Sequence, residues 1–303
     1  MTETPATIHS DLFQRAGRWK LRTRELVLPR RPLLMGIVNV TPDSFSDGGK
    51  FADAHRAIDH ALALIQQGAD ILDVGGESTR PFAEPISATE ELRRVSPVIA
   101  AICQQSAVPV SIDTSKAIVA REALAAGAEI INDVTGLAGD AEMMQVAVDH
   151  EAAVAAMHMQ GTPQTMQLNP TYHDIIGEVL DYLRKRRDAL VAAGVEPARI
   201  CLDPGIGFGK THQHNLTLSA HCHRFHELQC PLLVGHSRKG FIGKVLGDKN
   251  ADRLAGTIGV AVSLALQGVQ VLRVHDVGAV RQALLLFEAT GGFDGQEIQL
   301  ENP

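Results

Sequence analysis

The stretch VPVSIDTSKAIVAREALAAGAEIINDV, residues 108–134, decides the fold because it contains one complete strand–helix–strand unit. A short apolar run ends at Asp113, a helical segment follows over 116–128, and a second apolar run ends at Asn132. Gly127 lies where the helix should close, as expected of the residue that most readily adopts a left-handed backbone. The unit predicts two parallel strands joined by a crossover helix.

The same unit recurs along the chain. Apolar runs that end in polar or charged residues occupy 33–40, 69–76, 108–114, 129–134, 152–159, 199–205, 231–237 and 269–275. Segments with helical spacing lie between them, and several end in glycine, including Gly68, Gly194 and Gly268. Eight such units in about 250 residues are typical of a (β/α)8 TIM barrel, whose active site lies where the strands end.

The division of the chain follows from this count. We expect an N-terminal extension over 1–30, one barrel domain over 31–291 and a C-terminal tail over 292–303. A doubly wound open sheet is the main competing fold. It usually has a glycine-rich first turn, and the first loop here, 41–51, is not GxGxxG.

Composition excludes several classes of function. The 303 residues are 45% hydrophobic and 21% charged, as in a soluble globular protein. A net charge of −7 and only 4% aromatic residues disfavour nucleic acid as a partner. No stretch approaches the roughly 20 apolar residues of a membrane span. Four cysteines without CxxC spacing fit a reducing cytoplasm. The basic segment 15–31 is interpreted as an arm that covers one barrel end.

Three strand ends carry hydrogen-bond acceptors. Asp113, Asn132 and Asp203 end the third, fourth and sixth strands, so we expect them to face one cavity. This array suits a planar heterocycle rich in N–H groups, such as the aminopyrimidinone edge of a pterin. A metal cage is an alternative, although the lack of histidine between the carboxylates argues against zinc. A glycosidase-like acid/base pair is another, but it leaves Asn132 unexplained.

The last two strands carry cations. The segments GHSRKGFIGK (235–244) and RVHDV (273–277) place Arg238, Lys239, Arg273 and His275 on neighbouring strand ends. Phosphate commonly binds at this position in barrels, so these groups predict a pyrophosphate site. Asn39 ends the first strand, and its amide oxygen is a suitable ligand for Mg²⁺ when a substrate supplies phosphate oxygens. An asparagine that merely closes a turn is equally consistent with that position.

Three loops border the predicted site. The first loop, 41–51, is rich in turn-forming residues and is interpreted as a movable lid. In DVGGESTRP (73–81), Thr79 and Arg80 could hold an anion, or the segment could be a solvated turn. The glycine-rich turn DPGIGFGK (203–210) permits close approach of a flat ligand, with Phe208 as a wall. A histidine-rich stretch, 212–230, is assigned no metal role because its helix runs away from the strand ends.

The motifs together resemble one family. They are similar in sequence and order to the motifs of dihydropteroate synthases, and with their flanks they extend from about Met35 to Ala289. The motifs are NVTPDSFSDGG, DVGGESTRP, SIDT, INDV, MHMQG, DPGIGFGK, SRKGFIG and RVHDV. These are folate-pathway transferases inhibited by sulfonamides. The resemblance implies condensation of hydroxymethyl-dihydropterin pyrophosphate with p-aminobenzoate, which gives dihydropteroate and pyrophosphate. It also implies Mg²⁺ as cofactor and a homodimer in the cytoplasm.

The resemblance also assigns roles to individual residues. Those implied to hold the pterin are Asp113, Asn132, Asp203 and Lys239. Those implied to bind the pyrophosphate and its Mg²⁺ are Asn39, Arg273 and His275. Those implied to line the loops and the p-aminobenzoate pocket are Thr79, Arg80, Pro81, Phe45 and Phe208. Asp43 would stabilise the cationic pterin once pyrophosphate departs, so the implied catalytic set is Asp43, Lys239, Arg273 and His275.

One position departs from the family pattern. Many members have serine after the lysine of SRK, where its side chain contacts the p-aminobenzoate carboxylate, whereas this chain has Gly240. Two rival functions remain open at this point. A methyltetrahydrofolate methyltransferase would share the three acceptors but does not need the SRK and RVH cations. A catalytically silent pterin-binding paralogue does not need Asn39, Lys239, Arg273 and His275 intact.

Overall fold

Ten strands make up the two sheets of the computed structural model, which describes residues 15–41, 50–80 and 83–299. An antiparallel hairpin is formed by β1 (Arg18–Lys20) and β2 (Glu25–Val27). The second sheet is parallel and contains β3 (Leu33–Asn39), β4 (Ile71–Gly75), β5 (Val110–Asp113), β6 (Ile130–Asp133), β7 (Ala153–Met157), β8 (Ile200–Asp203), β9 (Leu233–Val234) and β10 (Val271–Val274).

Helices connect the strands of the parallel sheet. They are α1 (Lys50–Gln66), α2 (Ala88–Gln105), α3 (Ala117–Ala125), α4 (Met143–Asp149), α5 (Ile175–Ala192), α6 (His212–Ala220), α7 (Gly240–Val245), α8 (Leu254–Leu266) and α9 (Val277–Ala289). Short 3-10 helices span Pro197–Arg199 and Cys222–Leu228. The described part of the chain contains no helix with the length and apolarity that a membrane crossing requires.

The parallel sheet curls into a ring. Each of its strands lies beside the one before it, and β10 pairs with both β3 and β9. Between β8 and β9 a parallel bridge joins Leu202 to Leu232, and the Leu202 N–H donates to the Pro231 carbonyl at 2.9 Å. The predicted (β/α)8 TIM barrel is thereby confirmed, and all eight strands end at the same face.

Left-handed glycines end the helices where the sequence placed them. Gly68 and Gly127 follow α1 and α3 with φ angles of 94° and 115°. The helical segment expected between the apolar runs 199–205 and 231–237 is instead α6 followed by a 3-10 turn. Helix α7 was not predicted, because its six residues are too short to show a periodic pattern. Gly247, with φ of 75°, separates α7 from α8.

The N-terminal hairpin covers the barrel face opposite the strand ends. Trp19 is fully buried, in an apolar cluster with Met35 and Ile71 of the barrel strands. Its indole Nε1–H donates to the Arg199 carbonyl at 3.0 Å. The arm predicted from the basic segment 15–31 is confirmed, and the buried tryptophan fastens it to the barrel.

The arginines of this arm satisfy helix carboxyl ends. The Arg22 guanidinium donates to the Leu124 carbonyl at 2.6 Å, in the last turn of α3. Arg30 donates to the Ala265 and Leu266 carbonyls at 2.7 and 2.9 Å, at the end of α8. The last carbonyls of a helix lack partners within the helix and carry partial negative charge, so arginine suits them. The basic composition of the arm therefore has a structural explanation.

Candidate active site

The carboxyl ends of the strands bring buried polar side chains together. Asp113 at the end of β5 lies beside Asn132 of β6 in the strand register, and Asp203 ends β8. All three are buried, with exposed fractions of 9%, 5% and 5%. Because charge is costly to bury without a partner, this concentration at one barrel face marks a site built for a ligand.

Arg273 of β10 lies between two carboxylates. Its Nε donates to Asp73 Oδ2 at 2.6 Å and its Nη2 donates to Asp113 Oδ2 at 2.7 Å. Burial alone lowers the pKa of Arg273, but the charges of Asp73 and Asp113 outweigh burial and raise this pKa. The guanidinium therefore stays charged, and the carboxylates of Asp73 and Asp113 offset its charge.

Asp73, on β4, was missed as a site residue by the sequence analysis. Besides Arg273, it accepts a hydrogen bond from Asn132 Nδ2 at 3.0 Å through the same oxygen, Oδ2. It lies two residues before the end of its strand, inside an apolar run, whereas the candidate residues were those at the ends of such runs. Its presence in the DVGGESTRP motif was the one available signal.

Burial perturbs the two carboxylates predicted to hold the ligand. It raises the pKa of Asp203 to about 6, although the Gly205 N–H that donates to Asp203 Oδ1 at 2.7 Å favours the ionised form. It also raises the pKa of Asp113, in spite of the opposing charge of Arg273. The neighbouring groups of the protein do not fully compensate the charge of these carboxylates, so N–H donors of a ligand would stabilise them.

Lys239 packs on an aromatic wall. Its Nζ lies 4.2 Å from the centroid of the Phe208 ring, a cation–π distance. Burial, followed by the charge of Arg273, lowers the pKa of Lys239 to about 8. Gly207, with φ of 86°, permits this approach, since a Cβ there would lie 2.9 Å from Lys239 Cδ. The structure thus brings the predicted residues Lys239 and Phe208 into contact.

His275 and Arg238 occupy different surroundings. His275 Nδ1 lies 3.1 Å from Ser237 Oγ, and burial together with the charge of Arg273 lowers the pKa of His275 to about 4. His275 is therefore neutral at physiological pH, so one of its ring nitrogens donates a hydrogen bond and the other accepts one. The exposed Arg238 instead forms an ion pair with Asp276, so it is not grouped with Arg273 and Lys239.

The loop after β4 is anchored at its base. Glu77 Oε1 accepts the Ile86 N–H at 3.0 Å, and Glu77 Oε2 pairs with Lys116 Nζ at 2.5 Å. Lys116 also pairs with the buried Glu91 at 2.6 Å. Beyond this anchor Thr79 is half-buried and Arg80 is exposed. Sequence reasoning missed the Glu77–Lys116–Glu91 group because its members lie on three separate segments.

Three residues assigned from the resemblance cannot be placed. Asp43, Phe45 and Pro81 lie outside the described residues. Their assigned roles remain predictions.

Asn39 is the predicted metal ligand. It lies half-buried at the end of β3, beside Gly75 of β4. Among the described residues, no group of three His, Cys, Asp or Glu side chains could hold a metal ion. A single hard amide oxygen fits Mg²⁺ only if phosphate oxygens of a substrate and water complete the coordination. The donor set is thus compatible with a metal that arrives with its substrate.

A buried lysine supports the glycine-rich turn. Lys210, 2% exposed, lies with Nζ 2.9 Å from His158 Nδ1 and donates to the Phe208 carbonyl at 2.9 Å. Burial lowers the pKa of Lys210 to about 7 and, with the charge of Lys210, lowers that of His158 to about 3. The neutral imidazole therefore accepts from the lysine, and this bond holds the turn that carries Phe208.

The histidine-rich stretch shows no metal group. His226 Nε2 lies 3.0 Å from the Gln267 carbonyl, and His223 contacts the Gln267 side chain. These histidines connect the 3-10 turn to the end of α8, at the barrel face opposite the strand ends. Within the described ranges they form no three-ligand cluster.

Comparison with known proteins agrees with this geometry. The Pterin binding enzyme family matches residues 35–275. The dihydropteroate synthase of Neisseria meningitidis serogroup B is 46% identical over 90% of this chain and 97% of its own length. A solved Xanthomonas albilineans dihydropteroate synthase with 4-aminobenzoic acid covers 91% of this chain and 98% of its own, at 44% identity and a TM-score of 0.84.

A second solved structure extends the comparison. The Xanthomonas albilineans dihydropteroate synthase in complex with 7,8-dihydropteroate covers 90% of this chain and 98% of its own, at 42% identity and a TM-score of 0.81. The family match spans most of the chain, and the relatives are aligned over nearly their full length. This protein therefore belongs to the Pterin binding enzyme family, as one of its dihydropteroate synthases.

Proposed function

We propose that this protein condenses hydroxymethyl-dihydropterin pyrophosphate with p-aminobenzoate to give dihydropteroate and pyrophosphate. The observation that carries the proposal is the pairing of buried acceptors, Asp113, Asn132 and Asp203, with the cations Lys239 and Arg273 at one barrel face. A similar Xanthomonas albilineans protein binds 4-aminobenzoic acid and 7,8-dihydropteroate, which supports the same substrates here.

Pterin recognition follows from the free acceptors. Asp203 Oδ1 accepts the Gly205 N–H, so we assign its second oxygen to the ligand. Asp113 and Asp203 accept the N–H groups of the aminopyrimidinone edge, and binding restores the ionised form that burial disfavours. Lys239 donates to an acceptor of the ring while Phe208 closes one side of the pocket.

The chemical step exchanges one bond for another. The p-aminobenzoate nitrogen forms a C–N bond to the pterin methylene carbon, the C–O bond breaks with its electron pair leaving on the pyrophosphate oxygen, and the nitrogen loses a proton to solvent water. Negative charge grows on the departing pyrophosphate, and Arg273, which stays charged, stabilises it. The neutral His275 offers a hydrogen bond to the same group.

Mg²⁺ is proposed as the cofactor, with Asn39 as its protein ligand. When bound, it supplies positive charge to the leaving phosphate oxygens. Thr79 and Arg80 are proposed to hold the p-aminobenzoate carboxylate, because the anchored loop carries them at the rim. Asp43 is proposed to stabilise the cationic pterin after pyrophosphate leaves.

The experiment that tests the function combines binding with product analysis. The purified protein is titrated calorimetrically with the pterin pyrophosphate, then incubated with p-aminobenzoate and Mg²⁺, and the products are separated by chromatography. Dihydropteroate and pyrophosphate in equal amounts are expected, with loss of turnover on chelation of Mg²⁺. Pterin binding without product would indicate a silent paralogue, and methyl transfer from methyltetrahydrofolate would indicate the methyltransferase.

A homodimer and a cytoplasmic location are also proposed. Two faces on the outside of the barrel support the dimer by exposing large apolar side chains. They are Val245 and Leu246 at the end of α7, and Leu285 and Leu286 on α9. Four free thiols support a reducing compartment. Sedimentation equilibrium should give twice the chain mass, and a single-chain mass would refute the dimer.

A further inference from the structure

Asp73 is a fully buried carboxylate that holds two site residues through one oxygen. Its Oδ2 accepts from Asn132 Nδ2 at 3.0 Å and from Arg273 Nε at 2.6 Å. Its other oxygen, Oδ1, is buried without a hydrogen-bond partner among the described residues. An unpaired buried oxygen of this kind destabilises the fold, so stability alone does not explain the residue.

The bond to Asn132 fixes the direction of its amide. A carboxylate only accepts hydrogen bonds, so Asn132 must turn Nδ2 toward Asp73 and Oδ1 away from it. Within the described residues Oδ1 of Asn132 accepts no hydrogen bond, and the residue lies beside Asp113 in the strand register. Asn132 therefore presents an oxygen next to the Asp113 carboxylate, and the two side chains form adjacent hydrogen-bond acceptors.

The ion pair between Asp73 and Arg273 weakens the binding of anions to the site. Arg273 faces two carboxylates, Asp73 and Asp113, at 2.6 and 2.7 Å. The negative charge that Asp73 places beside this guanidinium offsets part of its positive charge, which weakens the attraction of Arg273 for an anionic ligand. Asp73 thus favours N–H donors on one side of the site and weakens anion binding on the other.

We propose that Asp73 is a positioning residue that sets the ligand preference of the site. Through Asn132 it selects a heterocycle that presents N–H groups, and through Arg273 it limits the affinity for pyrophosphate, so that this product can leave. The inference rests on the proposed function, because it assigns the two halves of the site to the pterin and to pyrophosphate.

The test measures both halves separately in Asp73→Asn. Calorimetric titration with 6-hydroxymethylpterin should show a dissociation constant raised about fivefold, the difference between a charged and a neutral acceptor. Titration with inorganic pyrophosphate should show a dissociation constant lowered about two- to threefold, since one carboxylate is neutralised. Asp73→Ser, which adds no buried N–H, should shift both constants in the same directions. A substitution that merely destabilised the barrel would weaken the binding of both ligands.

A mutant cycle locates the effect. On an Asn132→Ala background, Asp73→Asn should change pterin affinity less than about twofold, because the residue through which it acts is gone. The matched control is Asp70→Asn, which also breaks a carboxylate–arginine pair, with Arg281, but just before β4 at the opposite barrel face. It should leave both affinities unchanged.

The outcomes separate this inference from the proposed function. If the unaltered protein binds no 6-hydroxymethylpterin, the proposed function fails and the inference fails with it. If the unaltered protein binds the pterin but Asp73→Asn leaves that affinity unchanged, weakens both ligands, or acts equally in the Asn132→Ala background, the inference alone is overturned.

Discussion

The two ends of this barrel use the same kinds of charged residue differently. At the face covered by the N-terminal hairpin, the buried Arg199 donates to the Leu21 and Glu151 carbonyls, both at 2.6 Å. Glu129, 3% exposed, accepts from Thr23 and pairs with Arg24 at 2.8 Å. Each group is matched by neighbours whose positions the fold already determines.

At the opposite face the hydrogen bonding and charge compensation of the polar side chains are incomplete. Asp73 keeps a buried oxygen without a partner, and burial raises the pKa of Asp203 and lowers that of Lys239. Groups left unsatisfied by the protein are those that a ligand can satisfy. In Arg199 and Glu129 buried charge with complete bonds serves stability, whereas in Asp73, Asp203 and Lys239 buried charge with incomplete bonds serves binding.

The largest effect expected is on stability at the covered face. Trp19→Ala should lower the free energy of unfolding by about 3–5 kcal/mol, because a fully buried indole is removed from the apolar cluster. Turnover per folded molecule should be unchanged. Chemical denaturation and steady-state kinetics below the unfolding transition measure both quantities.

The control for Trp19 lies in the same hairpin. Val27→Ala removes a side chain that is 66% exposed and should change stability by less than about 0.5 kcal/mol. A large fall in the turnover of folded Trp19→Ala would contradict the division of the barrel into a face that serves stability and a face that serves ligand binding.

At the strand ends, Arg273→Ala should lower turnover by about 10²-fold or more, since a charged donor to the leaving group is lost. The buried Asp73 and Asp113 would also lose their shared partner, so stability should fall. Arg199→Ala is the matched control, a buried arginine at the other face whose loss should reduce stability alone. Equal turnover in both variants would remove Arg273 from the chemical step.

Asp203→Asn should weaken pterin binding by roughly ten- to a hundredfold. The amide keeps the size of the side chain but removes the charge and can direct a donor at the N–H groups of the ligand. Direct titration with a pterin measures the change, and p-aminobenzoate affinity in the presence of pyrophosphate serves as an internal reference. Unchanged pterin affinity would move Asp203 out of the pterin site.

The pH dependence of pterin binding should follow three perturbed groups. The ionised forms of Asp113 and Asp203 bind the ligand, and burial raises the pKa of both, that of Asp203 to about 6, so affinity should fall by at least about tenfold at pH 5. Lys239, with its pKa lowered to about 8, loses its charge at higher pH, and affinity should decline again. Titrations from pH 5 to pH 9 should give a maximum between these limits. In Asp203→Asn the acidic limb should be reduced, and a flat profile in the unaltered protein would contradict the assignment.

The sequence predicted the part of this molecule that depends on local pattern. Apolar runs with polar ends gave the eight strands, and Asp113, Asn132 and Asp203 were found because each stands at a strand end. Asp73 stands inside a run, and its partners Arg273 and Asn132 are 200 and 59 residues away. Pairing across a closed ring has no signature in one sequence. The Lys210–His158 bond escaped notice for the same reason.

The smallest effect expected concerns Gly240, where this chain departs from the serine common in the family. A Cβ at this position would meet only His212 Cε1 within 4 Å, at 3.4 Å, so a serine fits without strain. Gly240→Ser should lower the KM for p-aminobenzoate by about threefold. This is the expected effect of one added hydrogen bond from a neutral hydroxyl to a carboxylate at the solvated rim of the site. The KM for the pterin pyrophosphate should not change. Gly259→Ser, on the exposed face of α8 with nothing within 4 Å of its Cβ, controls for the gain in stability that any helical glycine replacement brings. If both variants lower the KM for p-aminobenzoate equally, the hydroxyl at 240 does not reach the substrate.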